Sequence, residues 1–383
     1  MMNRMEAAMN TRQELVNAKR IVVKVGTSTL THSTGKLNFF RIEKLVRELS
    51  NLANQGKEII LVTSGAVGAG VDRLGLKEKP TTIPEKQAMA AVGQGILMHM
   101  YEKLFGEYGQ TVAQVLLTRE NSVKHKQYMN SRNALLTLLK MGVIPVINEN
   151  DAIAVDELKI GDNDTLSATV ATLVDADVLI ILSDIEGVYT ANPQSDPTAT
   201  LILEIKDITP EIEALAGGAG SKLGTGGMFT KIQAAKIAVN SGVTMVIASG
   251  NRDGIVRDIL NGKELGTVFP AKEYHLKVRK SWLAFGTRID GGILVDEGCE
   301  RAMLEDGSSL LAAGIVAVEG TFDKGNTVRI LSSHGREIAR GSVNYNAEEL
   351  QKIIGRSTKD FLEILGTKYY DEVIHRDNMV LMV

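Results

Sequence analysis

Between residues 20 and 270, short aliphatic runs alternate with longer amphipathic stretches. Several runs are apolar at every position, which is typical of strands covered by helices on both faces of a mostly parallel sheet. The predicted strands are Ile21–Val25, Glu58–Val62, Thr111–Leu116, Ile144–Asn148, Val178–Leu182 and Val243–Ala248. The predicted helices are Arg41–Asn54, Lys86–Tyr108, Arg132–Met141, Leu166–Val174 and Lys231–Ser241. The alternation predicts an α/β fold, a three-layer α/β/α sandwich.

The pattern changes after about residue 269, where mixed charges in residues 271–281 indicate a linker. Residues 282–383 then predict a smaller, mostly β domain with one helix, Glu300–Glu305. Its predicted strands are Gly292–Val295, Ile315–Val318, Thr327–Leu331 and Ile338–Val343. Residues 1–19 are expected to form a helical leader, and residues 20–270 the α/β domain.

Composition and charge exclude several classes of protein. The net charge of −3 over 383 residues gives no general reason to expect nucleic-acid or membrane binding. Cys299 is the only cysteine, so an intrachain disulfide and a cysteine-built zinc site are excluded. The six histidines have no metal-ligand spacing, no apolar run approaches about 20 residues, and the N-terminus lacks the apolar core of a signal peptide. We expect a cytoplasmic protein with no resident metal site.

The segment Ser221–Lys231 is the strongest single indication of ligand binding. Gly224, Gly226 and Gly227 let the backbone approach a ligand closely. The N–H groups of the predicted helix that follows would face the same point, and Lys231 adds a full positive charge. This arrangement favours a phosphate, although a Gly-rich linker followed by a solvated lysine is the alternative.

Three other chemistry-bearing segments follow predicted strands. Val22–Ser28 contains Lys24, which must reach a partner because an unpaired charge in an apolar strand is costly. Val62–Gly70 contains Ser64, which lacks the Gly-x-Ser-x-Gly frame of a nucleophile and is interpreted as a hydrogen-bonding group. Because the carboxyl ends of parallel strands share one edge, we expect these segments to form one site.

The third of these segments is acidic and runs from Val146 to Asp151 and from Lys159 to Thr165. Glu149, Asp151, Asp162 and Asp164 would repel one another without a cation or lysines nearby. Simple turns, or an N-cap role for Asp164, are the structural alternatives. Neither a P-loop nor a strand-linked Gly-x-Gly-x-x-Gly is present, which excludes the commonest nucleotide-binding motifs.

Taken in order, five motifs resemble the amino acid kinase family. They are Val-Val-Lys-Val-Gly-Thr-Ser, Val-Thr-Ser-Gly-Ala, Pro-Val-Ile-Asn-Glu-Asn-Asp, Gly-Asp-Asn-Asp and Gly-Thr-Gly-Gly-Met-x-Thr-Lys. The C-terminal part resembles a PUA domain in Val295–Cys299 and Gly307–Ile315. The resemblance covers nearly everything from Arg20 onward.

The resemblance implies ATP-dependent phosphorylation of the γ-carboxylate of L-glutamate to L-glutamyl 5-phosphate, the first step of proline biosynthesis. That carboxylate, with a pKa near ~4.3, is ionised at neutral pH and needs positioning and charge relief rather than a general base. Lys24 and Lys231 would relieve the charge, and the family implies that Asp164 orients them. Mg²⁺ would bridge the β and γ phosphates of ATP.

The implied contacts fall into two sets. The ATP-binding residues implied are Lys24, Ser183, Asp184, Thr225, Gly226, Gly227, Met228, Phe229, Thr230 and Lys231. The substrate-binding residues implied are Ser64, Asp151 and Asn163. The family further implies proline as an inhibitor, delivery of the product to glutamyl phosphate reductase, and a homo-oligomer, either a dimer or a tetramer.

Two alternatives stay open. One is another carboxylate kinase of the family, such as acetylglutamate kinase. The other is an RNA-binding regulatory protein that acts through the PUA-like domain. Residues 274–383 carry 14 Lys and Arg against 16 Asp and Glu, which is not the basic surface that a phosphate backbone requires, so RNA is not an expected partner.

Overall fold

The chain divides into two units, Met1–His275 and Leu276–Val383. The computed structural model describes residues 11–32, 34–76, 80–118, 125–153, 163–193, 195–216, 227–272, 289–368 and 370–382. The domain boundaries expected from the sequence stay predictions, and most of the predicted linker lies outside the described residues. No described helix is both long enough and apolar enough to cross a membrane.

The described part of the first unit contains a seven-stranded sheet, which confirms the α/β prediction. Its strands are β1 Arg20–Val25, β2 Glu58–Val62, β3 Val112–Leu117, β4 Ile144–Glu149, β5 Val178–Ser183, β6 Thr244–Ser249 and β7 Thr267–Phe269. The strand order is β3-β4-β2-β1-β5-β6-β7, and every pairing is parallel except β6 with β7. All residues of β4 and β5 are buried, so helices cover both faces.

Six strands were predicted to within one residue at either end, and the edge strand β7 was missed. The helices are α1 Thr27–Leu30, α2 Phe39–Asn54, α3 Ala66–Leu74, α4 Ile83–Glu107, α5 His125–Lys140, α6 Asn163–Leu173, α7 Pro210–Leu215, α8 Met228–Asn240 and α9 Ile255–Leu260. The five predicted helices begin two to seven residues too late. The start of α4 shows this, where Thr82 and Glu85 form a capping box.

Helices α3 and α4 pack unusually closely. A Cβ placed on Gly93 would lie 1.7 Å from the carbonyl oxygen of Ala66, and one on Gly70 would lie 2.0 Å from that of Met89. Only glycine permits this approach of two backbones. Helix α3 also begins directly after Gly65, whose φ of +98° lies in the left-handed region. The glycines therefore fix the turn after β2 relative to α4.

The second unit contains, in its described part, a five-stranded sheet of order β12-β11-β10-β8-β9. The strands are β8 Ile289–Val295, β9 Ile315–Gly320, β10 Thr327–Leu331, β11 Glu337–Ser342 and β12 Met379–Leu381; the helices are α10 Glu297–Glu305, α11 Ala347–Ile353 and α12 Phe361–Leu365. This unit has a hydrophobic core of its own. Within that core the rings of Tyr345 and Phe361 pack edge to face, with 5.5 Å between their centroids. The predicted β-rich domain is confirmed, but α11, α12 and β12 were missed.

The end of the leader is tied to the first unit by Arg12. Residues 11–16 are helical, and residues 1–10 lie outside the described part. The buried guanidinium donates hydrogen bonds of 3.0, 3.1 and 3.0 Å to the carbonyl oxygens of Lys263, Leu265 and Leu203. A buried guanidinium without hydrogen-bond partners would be unfavourable, and these three carbonyl oxygens provide the partners.

Candidate active site

Two lysines share one buried carboxylate at the carboxyl edge of the sheet. Lys24 lies near the end of β1, Asp164 in the first turn of α6, and Lys231 in the first turn of α8. Lys24 Nζ is 2.6 Å from Asp164 Oδ1, and Lys231 Nζ is 3.1 Å from Asp164 Oδ2. The carboxylate side chain has no exposed surface, and the lysine side chains are 7% and 6% exposed. Three separate elements therefore bring two positive charges together.

The ionisation of Asp164 is set by opposing effects. Burial raises the pKa of its carboxyl, but the ammonium groups of Lys24 and Lys231 attract and hydrogen-bond the charged form, so that the pKa is held below its usual value. The Thr230 hydroxyl is 2.9 Å from Asp164 Oδ2 and 2.7 Å from the carbonyl oxygen of Gly227. Asp164 is thus an anion that holds two cations in fixed positions.

A cluster of polar side chains lies beside this ion cluster. Asn163 precedes Asp164 in α6, and its Nδ2 donates hydrogen bonds of 2.8 Å to the carbonyl oxygen of Thr63 and 2.7 Å to Ser64 Oγ. The same nitrogen lies 3.0 Å from Oδ1 of Asn148, on β4. The predicted substrate residues Ser64 and Asn163 are therefore in direct contact. Because Asn163 and Asp164 are neighbours, this polar cluster adjoins the lysines.

The remaining predicted residues lie at the same edge of the sheet or outside the described part. Asp151 follows β4 and is half-buried. Ser183 ends β5, next to β1, and its hydroxyl donates a 3.0 Å hydrogen bond to Oδ1 of the exposed Asp184. Asp162, which the sequence placed in the acidic cluster, is not among the described residues. The binding roles expected of these residues stay predictions.

The Gly-rich segment is described from Gly227 onward, so Thr225 and Gly226 lie outside the described residues. Gly227 is the N-cap of α8, and no described side chain caps the helix. The first-turn residues Met228, Phe229 and Thr230 are partly buried beside Lys231. Their N–H groups and the helix dipole favour an anion at this point, as the sequence indicated.

Two polar residues of the site were missed in the sequence. Asn148 lies within a motif already noted, and Gln94 lies on α4 with only 8% of its surface exposed. The signal for Gln94 was its position among Ala90, Leu97 and Tyr101, the buried residues of the same helix. A polar residue in such an apolar stripe needs a partner. Its partner is Asn148, whose Nδ2 donates a 2.9 Å hydrogen bond to Gln94 Oε1.

Comparison with known proteins supports the same family. The profile described as "Amino acid kinase family" matches residues 19–249. The chain belongs to the amino acid kinase family. A second profile, "PUA domain", matches residues 291–365 of this family member. Both resemblances noted in the sequence are thereby confirmed.

The similar relatives cover almost the whole chain. It is 56% identical over 371 residues to the glutamate 5-kinase of Moorella thermoacetica, covering 97% of this chain and 98% of the relative. It is 55% identical over 363 residues to the glutamate 5-kinase of Caldanaerobacter subterraneus subsp. tengcongensis, covering 95% of this chain and 98% of that relative. A solved carbamate kinase from Giardia lamblia bound to AMP-PNP covers 67% of this chain and all of its own, at 18% identity and a TM-score of 0.50, which shows the fold alone.

Proposed function

We propose that this amino acid kinase transfers the γ-phosphoryl group of ATP to the γ-carboxylate of L-glutamate, giving L-glutamyl 5-phosphate as the first step of proline biosynthesis. The observation that carries the proposal is the pair of buried lysines on Asp164, beside a polar cluster suited to an amino acid. The relatives named glutamate 5-kinase, at 55–56% identity over nearly full length, support the choice of acceptor.

The chemistry requires alignment and charge relief. An oxygen of the ionised carboxylate attacks the γ-phosphorus, the bond from phosphorus to the β–γ bridging oxygen breaks, and ADP leaves with the electron pair. No proton is removed from the acceptor, so no general base is needed. Lys24 and Lys231 stabilise the negative charge on the transferring group, and Asp164 fixes where their ammonium groups lie.

The nucleotide is assigned to the side of the site formed by β5 and α8. We assign the phosphates to the start of α8, where Gly227–Thr230 and Lys231 combine N–H donors with a positive charge, together with Thr225 and Gly226. Ser183 and Asp184, at the end of β5, contact the rest of the nucleotide. Mg²⁺ enters as the magnesium complex of ATP, because it prefers phosphate oxygens and retains several waters.

The amino acid is assigned to the opposite side, at the ends of β2 and β4. Ser64 and Asn163 are already hydrogen-bonded to each other there, and Asp151 follows β4 on the same edge. Carboxylate and amide oxygens are the acceptors that a free α-ammonium group requires. This side of the site therefore suits an unblocked amino acid.

The test is trapping of the acyl phosphate with hydroxylamine in the presence of ATP and Mg²⁺. Parallel samples contain glutamate, N-acetylglutamate or aspartate. Hydroxamate from glutamate alone is the expected result. A signal only from N-acetylglutamate or aspartate would overturn the proposed acceptor while leaving the phosphoryl-transfer chemistry intact.

The remaining proposals rest on family relationship. We propose that proline inhibits the enzyme, that glutamyl phosphate reductase consumes its unstable product, that it forms a dimer or tetramer and that it acts in the cytoplasm. Adding proline to the hydroxylamine assay tests the first of these, since hydroxamate formed from glutamate should decrease. Light scattering of the full-length protein gives the oligomeric state.

A further inference from the structure

A chain of three side-chain amides leads away from the ion cluster to helix α4. Asn163 Nδ2 contacts Asn148 Oδ1 at 3.0 Å, and Asn148 Nδ2 donates to Gln94 Oε1 at 2.9 Å. Asn148 is 1% exposed and Gln94 8% exposed, so water does not compete for these contacts. The three residues come from α6, β4 and α4, so the chain links three separate elements of the first unit.

Backbone groups fix which way each amide points. The N–H of Glu149 donates a 2.9 Å hydrogen bond to Asn148 Oδ1, and only an oxygen can accept it. The carbonyl oxygen of Thr63 accepts at 2.8 Å from Asn163 Nδ2, and only a nitrogen can donate to it. With these two orientations settled, Gln94 must present Oε1 to Asn148.

The fixed orientation leaves one acceptor at the site without a partner. Asn163 Oδ1 is buried and has no hydrogen-bond donor among the described residues. A buried acceptor without a donor is unfavourable, so a ligand that brings an N–H group gains from binding there. The α-ammonium group of an amino acid is such a donor, and it is absent from a simple dicarboxylate.

We propose that Gln94 is a positioning residue that makes Asn163 selective for the α-ammonium group of the substrate. The inference rests on the proposed function. Gln94 acts through Asn148, whose Nδ2 would be buried and unpaired without it. Asn148 would then lose the acceptor that anchors its amide, and Asn163 would keep its contacts with Thr63 and Ser64 but lose a firmly held third partner, so that its Oδ1 is positioned less rigidly toward the substrate.

The sheet order indicates which kinetic constant responds. Asn148 is on β4 and Lys24 on β1, with β2 between them, so the two backbones are about 10 Å apart at ordinary strand spacing. The amide chain therefore serves the amino-acid end of the substrate rather than the phosphoryl group. Loss of Gln94 should raise the KM for glutamate and change kcat and the KM for ATP little.

The experiment compares Gln94→Met with Gln94→Glu in the full-length enzyme. Both replacements are close to glutamine in size, but only glutamate retains an oxygen that accepts from Asn148. Each variant is assayed with glutamate and with glutarate, which keeps both carboxylates and lacks the amino group. The KM for ATP and the melting temperature report on the integrity of the fold.

We expect Gln94→Met to lower kcat/KM for glutamate about tenfold, as loss of one buried hydrogen bond would, and to change kcat/KM for glutarate less than about twofold. With glutamate as substrate, the kcat/KM of Gln94→Glu should be closer to that of the wild type than the kcat/KM of Gln94→Met is. An unchanged KM for glutamate in Gln94→Met, equal losses of kcat/KM on both substrates, or a lower kcat/KM for glutamate in Gln94→Glu than in Gln94→Met would each overturn the inference. If the wild-type enzyme forms no glutamyl hydroxamate, it is the proposed function that fails.

Discussion

At the scale of single residues, Asp164 is the point on which the site depends. Its two oxygens contact different lysines, which belong to segments more than 200 residues apart in the chain. A buried carboxylate is unfavourable alone, and so are two adjacent buried ammonium groups. Together the three groups compensate one another, which allows positive charge to be concentrated where a phosphoryl group would be transferred.

Removing either lysine should act on the chemical step. Lys24→Ala and Lys231→Ala are each expected to lower kcat by about 10²–10³, the usual loss for one transition-state charge contact, corresponding to roughly 3 kcal/mol or more. The measurement is steady-state kinetics with glutamate and ATP. Lys44→Ala is the control, since Lys44 pairs with the exposed Asp253 away from these residues. A lysine variant with wild-type kcat would remove that residue from the proposed mechanism.

Asp164 should also make stability depend on pH. Its pKa is lowered in the folded protein, so its stabilising contribution is complete above its unfolded pKa of about 3.9 and is lost as pH falls through the lower folded value. Asp164→Asn should cost about 3–5 kcal/mol at pH 7, because it removes the carboxylate that both buried ammonium groups contact. Urea denaturation at several pH values should show this difference shrinking below about pH 4.

The matched control for that experiment is Asp253→Asn. The carboxylate of Asp253 is 68% exposed and pairs with Lys44 on the surface, where such pairs contribute little. The unfolding free energy of this variant should stay close to that of wild type at every pH. A difference between Asp164→Asn and wild type that does not change with pH would contradict the lowered pKa.

At the scale of the elements, helix α3 shows how packing overrides local preference. The segment after β2 contains Gly65, Gly68 and Gly70, a composition that predicts a turn. It forms a helix because Gly70 and Gly93 let α3 and α4 approach to backbone contact, and the buried surface outweighs the low helix propensity of glycine. The sequence indicated a Gly-rich turn followed by a helix here, and in the structure the helix already includes Gly68 and Gly70.

The prediction at this scale concerns Gly93. Gly93→Ala should destabilise the first unit by about 1–3 kcal/mol or more, since its Cβ would overlap the carbonyl oxygen of Ala66 and separate the helices. The shift of α3 should also raise the KM for glutamate, because Ser64 lies just before that helix. Unfolding curves and glutamate kinetics measure both effects.

Gly95→Ala is the control in the same helix. Outside its own turns of the helix, no described atom lies within 4 Å of the Cβ it would add, so the substitution should stabilise the protein by about 0.5–1 kcal/mol through helix propensity. If the two variants behaved alike, the close contact of α3 with α4 would not be what fixes the turn after β2.

Some contacts of the site could be predicted from the sequence and others could not. In a parallel sheet, residues at strand ends and helix starts share one edge, where ligands bind. This rule predicts that Lys24, Asp164 and Lys231 lie close together. The contacts of Gln94 do not follow from such a rule. They depend on the rotation of α4 about its axis and on the placement of β4 beside β2, both of which are set by tertiary packing.

At the scale of the whole molecule, each unit has a hydrophobic core of its own. The aromatic centre of the second core is the pair Tyr345 and Phe361, and both side chains are fully buried. Because each unit has a core of its own, we expect the two units to unfold as separate cooperative transitions.

Phe361→Ala tests this independence. The substitution should destabilise the second unit by about 3–5 kcal/mol and leave the melting of the first unit and the kcat of phosphoryl transfer unchanged. Scanning calorimetry resolves the two transitions. Leu362→Ala, at a 60% exposed neighbouring position, should shift neither of them. A joint shift of both transitions in Phe361→Ala would show that the two cores are coupled.

The hydrogen bonds of Arg12 bear on the order in which the enzyme is completed during synthesis. Arg12 is translated well before its acceptors Leu203, Lys263 and Leu265, which are made 191 to 253 residues later. The helix that contains Arg12 is thus translated long before it can be anchored. A nascent chain halted before residue 263 has most strands of the sheet but only one of these three acceptors, so translation must nearly finish the first unit before its N-terminal segment is secured.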